Sequence, residues 1–154
     1  MFDAHKSDPI ATTIVSRAGH KDVTEVEADI CVVGAGISGI AAALEAAALG
    51  RKVVIVDGAP ALGGQAIGSI IGTIIGLYSH GPSPYQITHG IADILIKEMT
   101  AAGDMFRRQG GPTGTVTFQY DEIKLARWME SKVQAAGIQA LVGAVMTGAG
   151  IQAR

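Results

Sequence analysis

Residues 28–60 read ADICVVGAGISGIAAALEAAALGRKVVIVDGAP, a strand, a tight turn, a helix and a second strand. Ile30, Cys31, Val32 and Val33 form a short β-favouring run, the pattern of a strand buried on both faces in a parallel sheet. Cys31 is read as a small buried hydrophobe in that strand, without a redox role. Gly34, Gly36 and Gly39 then make G-x-G-x-x-G. The first allows the tight turn, the second lets a pyrophosphate lie against backbone, and the third lets the helix pack close to the strand. Residues 37–49 are rich in alanine and leucine, good helix formers, and Gly50 is placed as the C-terminal cap. The N-terminus of this helix aims unpaired N–H groups and a positive dipole end at whatever lies over the glycines. Residues 53–56 make the second strand, and Asp57 at its end is placed to accept hydrogen bonds from ribose hydroxyls. The glycines alone could mark any turn; strand, helix and acid together point to a dinucleotide site.

Just downstream, residues 63–76 read GGQAIGSIIGTIIG. Gly64, Gly68, Gly72 and Gly76 recur every fourth residue among isoleucines, which on a helix would place them along one side, as in close-packed membrane helices. Residues 58–79 carry no charge, and about 20 apolar residues suffice to span a bilayer. Against a span stand the glycines themselves, Pro82 and Pro84 just beyond, and the lack of a basic cluster at either end. The same letters also suit a glycine-rich loop that lets backbone approach a bulky ligand.

Composition narrows the classes further. A chain of 154 residues, 48% hydrophobic and 17% charged, has the size of one domain and enough apolar residues for a core. A net charge of −2 with no long Lys/Arg run argues against nucleic acid or anionic lipid as partner. The single cysteine excludes an intramolecular disulfide framework and suits a reducing compartment. The N-terminal residues are polar, with no apolar run long enough for a secretory signal, so the expected location is cytoplasmic.

After Asp57 the chain continues GAPALGGQA, bringing the pair Gly63-Gly64 shortly after the acid. With these residues the sequence resembles the FAD-dependent oxidoreductases of the two-dinucleotide-binding-domain, glutathione-reductase-like type, N-terminal part only. Their first domain carries G-x-G-x-x-G, an acidic residue (most often glutamate) and a following Gly-Gly pair. The resemblance implies an α/β, Rossmann-like FAD/NAD(P)-binding domain with a central parallel sheet, here incomplete. It covers residues 28 to about 149, specific over the first forty and general beyond. It implies FAD as cofactor, with Gly34, Gly36, Ile37, Ser38, Gly39, Asp57, Gly58, Gly63, Gly64, Gln65, Ala66 and Met146 as the binding residues. On this reading the glycine ladder is a loop or short helix lining the flavin. Gln65 and Ala66 would lie near the ribityl chain and residues 69–85 would approach the reactive ring, with glycine there for clearance.

The remaining chain supports an α/β domain. Ile87, Ile91, Ile94, Leu95 and Met99 fall at helical spacing, with Gly103 as cap. Residues 115–118 alternate like a strand, Asp121 caps a helix running through Trp128 to Ala136, Gly137 ends it, and a strand is expected over 138–146. Trp128 is expected in the core and His89 at a helix start. Residues 1–27 are assigned to a polar extension and 28–154 to the flavin-binding domain.

Tyr78, Ser79, His80 and Tyr85 lie where the resemblance brings the reactive ring, and a histidine or tyrosine there could act as general acid or base. Turn chemistry around Gly81, Pro82 and Pro84 explains the same residues as a surface loop, which is favoured, and the catalytic residues stay unassigned. No residues have metal-ligand spacing. The expected function is the FAD-binding portion or subunit of an oxidoreductase that accepts hydride from a small organic substrate. The alternative is a non-catalytic dinucleotide-binding module or assembly subunit; a nicotinamide dehydrogenase is disfavoured by Gly63-Gly64. No Thr-Gly-Asp-like returning segment occurs, and residues 147–150 read as a hairpin turn before a short 151–154. The chain is therefore expected to need a partner chain or a missing C-terminal region to complete the flavin domain.

Overall fold

The computed structural model of the protein describes residues 23–150. Its elements run in the order β1 (Ile30–Val33), α1 (Ile37–Ala48), β2 (Val53–Asp57), α2 (Gln65–Gly68), β3 (Thr73–Ile75), α3 (Ile91–Ala101), β4 (Met105–Gly110), β5 (Thr115–Tyr120), α4 (Glu122–Ala135) and β6 (Gln139–Val142). They form two three-stranded sheets. One is parallel, ordered β1-β2-β6, and the other antiparallel, ordered β3-β5-β4. The fold is α/β and Rossmann-like, with a parallel sheet fed by helices α1 and α4.

In the parallel sheet, Ile30 pairs with Val53 and Val33 with Val56, while on the far side of β2 Val54 pairs with Gln139 and Asp57 with Val142. β2 is the central strand, and its three valines and one isoleucine are buried accordingly. Helix α1 buries Ile40, Ala43 and Leu44, one stripe of an alanine-rich helix. Val53, Ile55, Leu125, Met129 and Val133 join that stripe in the core, with Val116, Phe118 and Tyr120 from the inward face of β5. Each such side chain contributes about 1.5–3 kcal/mol by leaving water. Helices α1, α3 and α4 end at Gly50, Gly103 and Gly137, with φ of +75°, +77° and +67°, the left-handed geometry that closes a helix. Asp121 caps α4 as expected, its carboxylate accepting from the N–H of Lys124 at 2.9 Å.

Several expectations are corrected. β1 is not buried on both faces: Ile30 is 38% exposed, Val33 65%, and Cys31 is exposed. The reason is its place at the sheet edge, where among the described residues it pairs with β2 alone. The glycine ladder does not share one side of a helix. Gly64 precedes the four-residue α2, Gly68 ends it, and Gly72 and Gly76 flank β3 with φ of +57° and +95°. No helix among the described residues is long and apolar enough to cross a membrane. α3 begins only at Ile91, because Gly90 turns the chain at φ +75° and the Ile87 N–H is used by the carbonyl of Leu77. Ile87 is half-exposed as a result.

The strand expected over 138–146 stops at Val142, since Gly143 at φ +65° redirects the chain over the end of β2; Met146 lies in a loop. β5 runs two residues beyond Phe118, and its hairpin partner β4 was not anticipated, because FRRQ carries no apolar alternation. Trp128 is half-buried at the rim of the core, donating from Nε1 to Glu98 at 2.7 Å. Residues 147–150 form no strand or hairpin, while the segment 151–154 and most of the polar extension, 1–22, lie outside the described residues.

Candidate functional site

Three segments meet at the C-terminal end of the parallel sheet, where ligands of open α/β folds bind. The first is the turn between β1 and α1. Gly34 stands at φ +104°, a conformation that favours glycine, and its N–H continues the ladder to Val56 at 2.8 Å. A Cβ on Gly34 or Gly36 would meet no protein atom within 4 Å, so their bareness serves no contact inside the protein. A Cβ on Gly39 would lie 2.0 Å from the carbonyl oxygen of Gly34, which makes glycine the only residue that lets α1 start there. Ile37 and Ser38 open the helix, with neither a side-chain cap nor an acidic residue in its first turn. The N-terminal N–H groups and dipole are thus left facing the open space above the glycines, a setting for phosphate oxygens.

The second segment is the end of β2. Asp57 accepts from the backbone N–H of Ala35 through Oδ2, and from that of Ala59 through Oδ1 at 2.7 Å. These two donors, Ala35 first, hold its carboxyl below the ordinary value of 3.8. Gly58 lies within the small turn they close.

The third segment is the Gly63-Gly64 pair. Gly63 donates to the Ala35 carbonyl at 2.7 Å and bridges Gly36 in parallel, so the pair lies directly against the first turn. Both stand at positive φ, +112° and +52°, a backbone conformation that favours glycine. A Cβ on Gly63 would fall 2.6 Å from the Met129 methyl, and one on Gly64 would fall 3.1 Å from Gly36 Cα. Gln65 and Ala66 follow in α2, where the Ala66 carbonyl accepts from Tyr120 at 2.7 Å. Burial, then the nearby Glu122, raises the Tyr120 hydroxyl above its ordinary range, keeping it a neutral donor.

The structure therefore brings together Gly34, Gly36, Ile37, Ser38, Gly39, Asp57, Gly58, Gly63, Gly64, Gln65 and Ala66. Met146, 39% exposed, sits on the segment whose start donates from Gly143 to Ala59 and from Ala144 to Asp57. Two residues escaped the sequence reading. Ala35, fully buried, joins all three segments by backbone alone, and no side-chain pattern could have flagged it. Tyr120 could have been found, because a tyrosine on the inward face of an alternating strand needs a partner for its hydroxyl.

The loop with the general acid-base candidates is tied into itself and the antiparallel sheet. Tyr78 bridges Gln86 and donates to its side chain at 3.0 Å, Ser79 accepts from the Tyr85 N–H at 2.9 Å, and His80 Nδ1 lies 3.1 Å from Thr115 Oγ1. The Tyr78 ring packs on Phe118 and under the Arg107 guanidinium. These bonds are those of a structured turn, as favoured from the sequence.

Residues 29–154 match the family model described as FAD dependent oxidoreductase. A stretch of 53 residues is 47% identical to the probable oxidoreductase OrdL of Haemophilus influenzae, covering 29% of this chain and 12% of that protein. Among solved structures, THI4 of Thermovibrio ammonificans is 19% identical with a TM-score of 0.47, over 75% of this chain and 38% of that one. The L-amino acid deaminase of Proteus vulgaris is 14% identical, also at a TM-score of 0.47, over 89% of this chain and 44% of that one. The chain thus spans a minor part of each of these proteins.

Proposed function

The chain belongs to the family of FAD-dependent oxidoreductases, and from that premise we infer that it is the FAD-binding portion of an enzyme that accepts hydride from a small organic substrate. FAD is the cofactor, and when bound it supplies the hydride-accepting centre. What this chain contributes is binding and orientation. Gly34, Gly36 and Gly39, with the first-turn N–H groups of Ile37 and Ser38, are assigned to the pyrophosphate, and Asp57 and Gly58 to the ribose end of the adenosine. Gly63, Gly64, Gln65 and Ala66 are assigned to the run toward the ribityl chain, and Met146 to the adenine side. The supporting observation is the bare turn at Gly34 and Gly36, open to solvent yet locked from below by Asp57 and Gly63.

In this reading residues 28–154 act behind the polar extension 1–27, and a partner chain or further region supplies the substrate site and the remaining flavin contacts. The edge of β1, which among the described residues has no second strand partner, with Val33 65% exposed, supports such a complement. The test is to purify the full chain, titrate it with FAD, and follow flavin absorbance and fluorescence. Saturable uptake of one FAD per chain is expected; absence of uptake, alone and with the complementing region, would refute the reading.

A further inference from the structure

Before any ligand is considered, both carboxylate oxygens of Asp57 are engaged by backbone, one with Ala35 and one with Ala59. Ala35 is 0% exposed, and while its N–H points to Asp57 its carbonyl accepts from Gly63. Gly63 in turn bridges Gly36, and Gly64 lies so close that a Cβ there would touch the Gly36 backbone at 3.1 Å. One side chain thus orients the residue on which both glycine segments hang. The link spans 22 residues of sequence and joins β2 to the turn after β1.

We propose that Asp57 is a positioning residue, which preassembles the two glycine segments into one pyrophosphate cradle by clamping the Ala35 and Ala59 N–H groups. This rests on the reading of that turn as the FAD pyrophosphate site. A carboxylate suits the task because it is acceptor-only and offers an oxygen to each of two converging donors. The single methylene of aspartate turns the oxygens back to the turn. The isosteric amide accepts through one oxygen only and sets its NH2 against the other backbone N–H, donor against donor.

The test compares wild type with Asp57→Asn, as the full chain, for binding of ADP and of dideoxy-ADP, which lacks both ribose hydroxyls. If Asp57 acts through the cradle, affinity for dideoxy-ADP falls as well as that for ADP, roughly ten- to a hundredfold. A loss confined to ADP overturns the proposal and returns Asp57 to the ribose. A second measurement needs no variant. In unliganded wild type the amide signals of Ala35 and Ala59 are followed by NMR as pH is lowered, and both are expected to titrate with the Asp57 carboxyl. Amides that ignore that titration overturn the clamp. Wild-type protein that binds no ADP while the two amides still follow Asp57 refutes the cofactor reading and leaves the clamp standing.

Discussion

Gly36 and Gly39 stand three positions apart in one motif and are glycine for different reasons. At Gly36, φ −70° and ψ 174° suit any residue, and a Cβ would enter open space. Gly36→Val should therefore leave the melting temperature nearly unchanged while abolishing FAD binding, as read by thermal unfolding beside flavin titration. Gly39→Ala should do the reverse of sparing the fold: its Cβ meets the Gly34 carbonyl, and a loss of about 1–3 kcal/mol is expected in denaturant unfolding. Asp57 supplies a pH prediction. Its carboxyl is held below 3.8 by donated hydrogen bonds, so the folded state binds the proton less readily than the unfolded chain. The stabilisation is fully present above the unfolded value and is lost as pH falls through the lower, folded one. Stability and ADP affinity should hold down to about pH 5 and decline only below 3.8, with the decline in affinity absent from Asp57→Asn.

Helix α4 depends on its ends. Asp121→Ala removes the acceptor for the Lys124 N–H and should cost about 0.5–2 kcal/mol, measured by chemical unfolding. On its exposed side α4 is joined to α3 through Glu98, which accepts from Lys132 at 2.6 Å and Trp128 at 2.7 Å. Those bonds, Lys132 first, keep Glu98 below its ordinary range, yet with Glu98 and Lys132 41% and 30% exposed the pair adds little. Elements of this kind were legible wherever local chemistry decides them: the glycine-closed ends of the three helices, the Asp121 cap, and the first strand and helix all lie within a residue or two of expectation. The elements misjudged are those whose limits come from neighbours. β4 exists because β5 offers it a ladder, and β6 ends where Gly143 is drawn over Ala59.

Across the described residues the two sheets share one core, in which Leu125, fully buried, belongs to the same cluster as the α1 stripe and the inward face of β5. Leu125→Ala should destabilise by about 2–5 kcal/mol and broaden or lower thermal unfolding, without altering the charge or hydrogen bonding of the site. The sequence by itself determined the β1-α1-β2 unit, the glycine turn and the acid after it, because glycine spacing, helix propensity and β-branched runs act over a few residues of chain. Only the tertiary structure decided that Cys31 and Val33 are exposed, that Gly63 and Gly64 lie against Met129 and Gly36, and that Asp57 holds Ala35. Each of those facts depends on which segments, distant in sequence, share a place in space; burial and hydrogen-bond partnership belong to the assembled chain, and no local pattern encodes them.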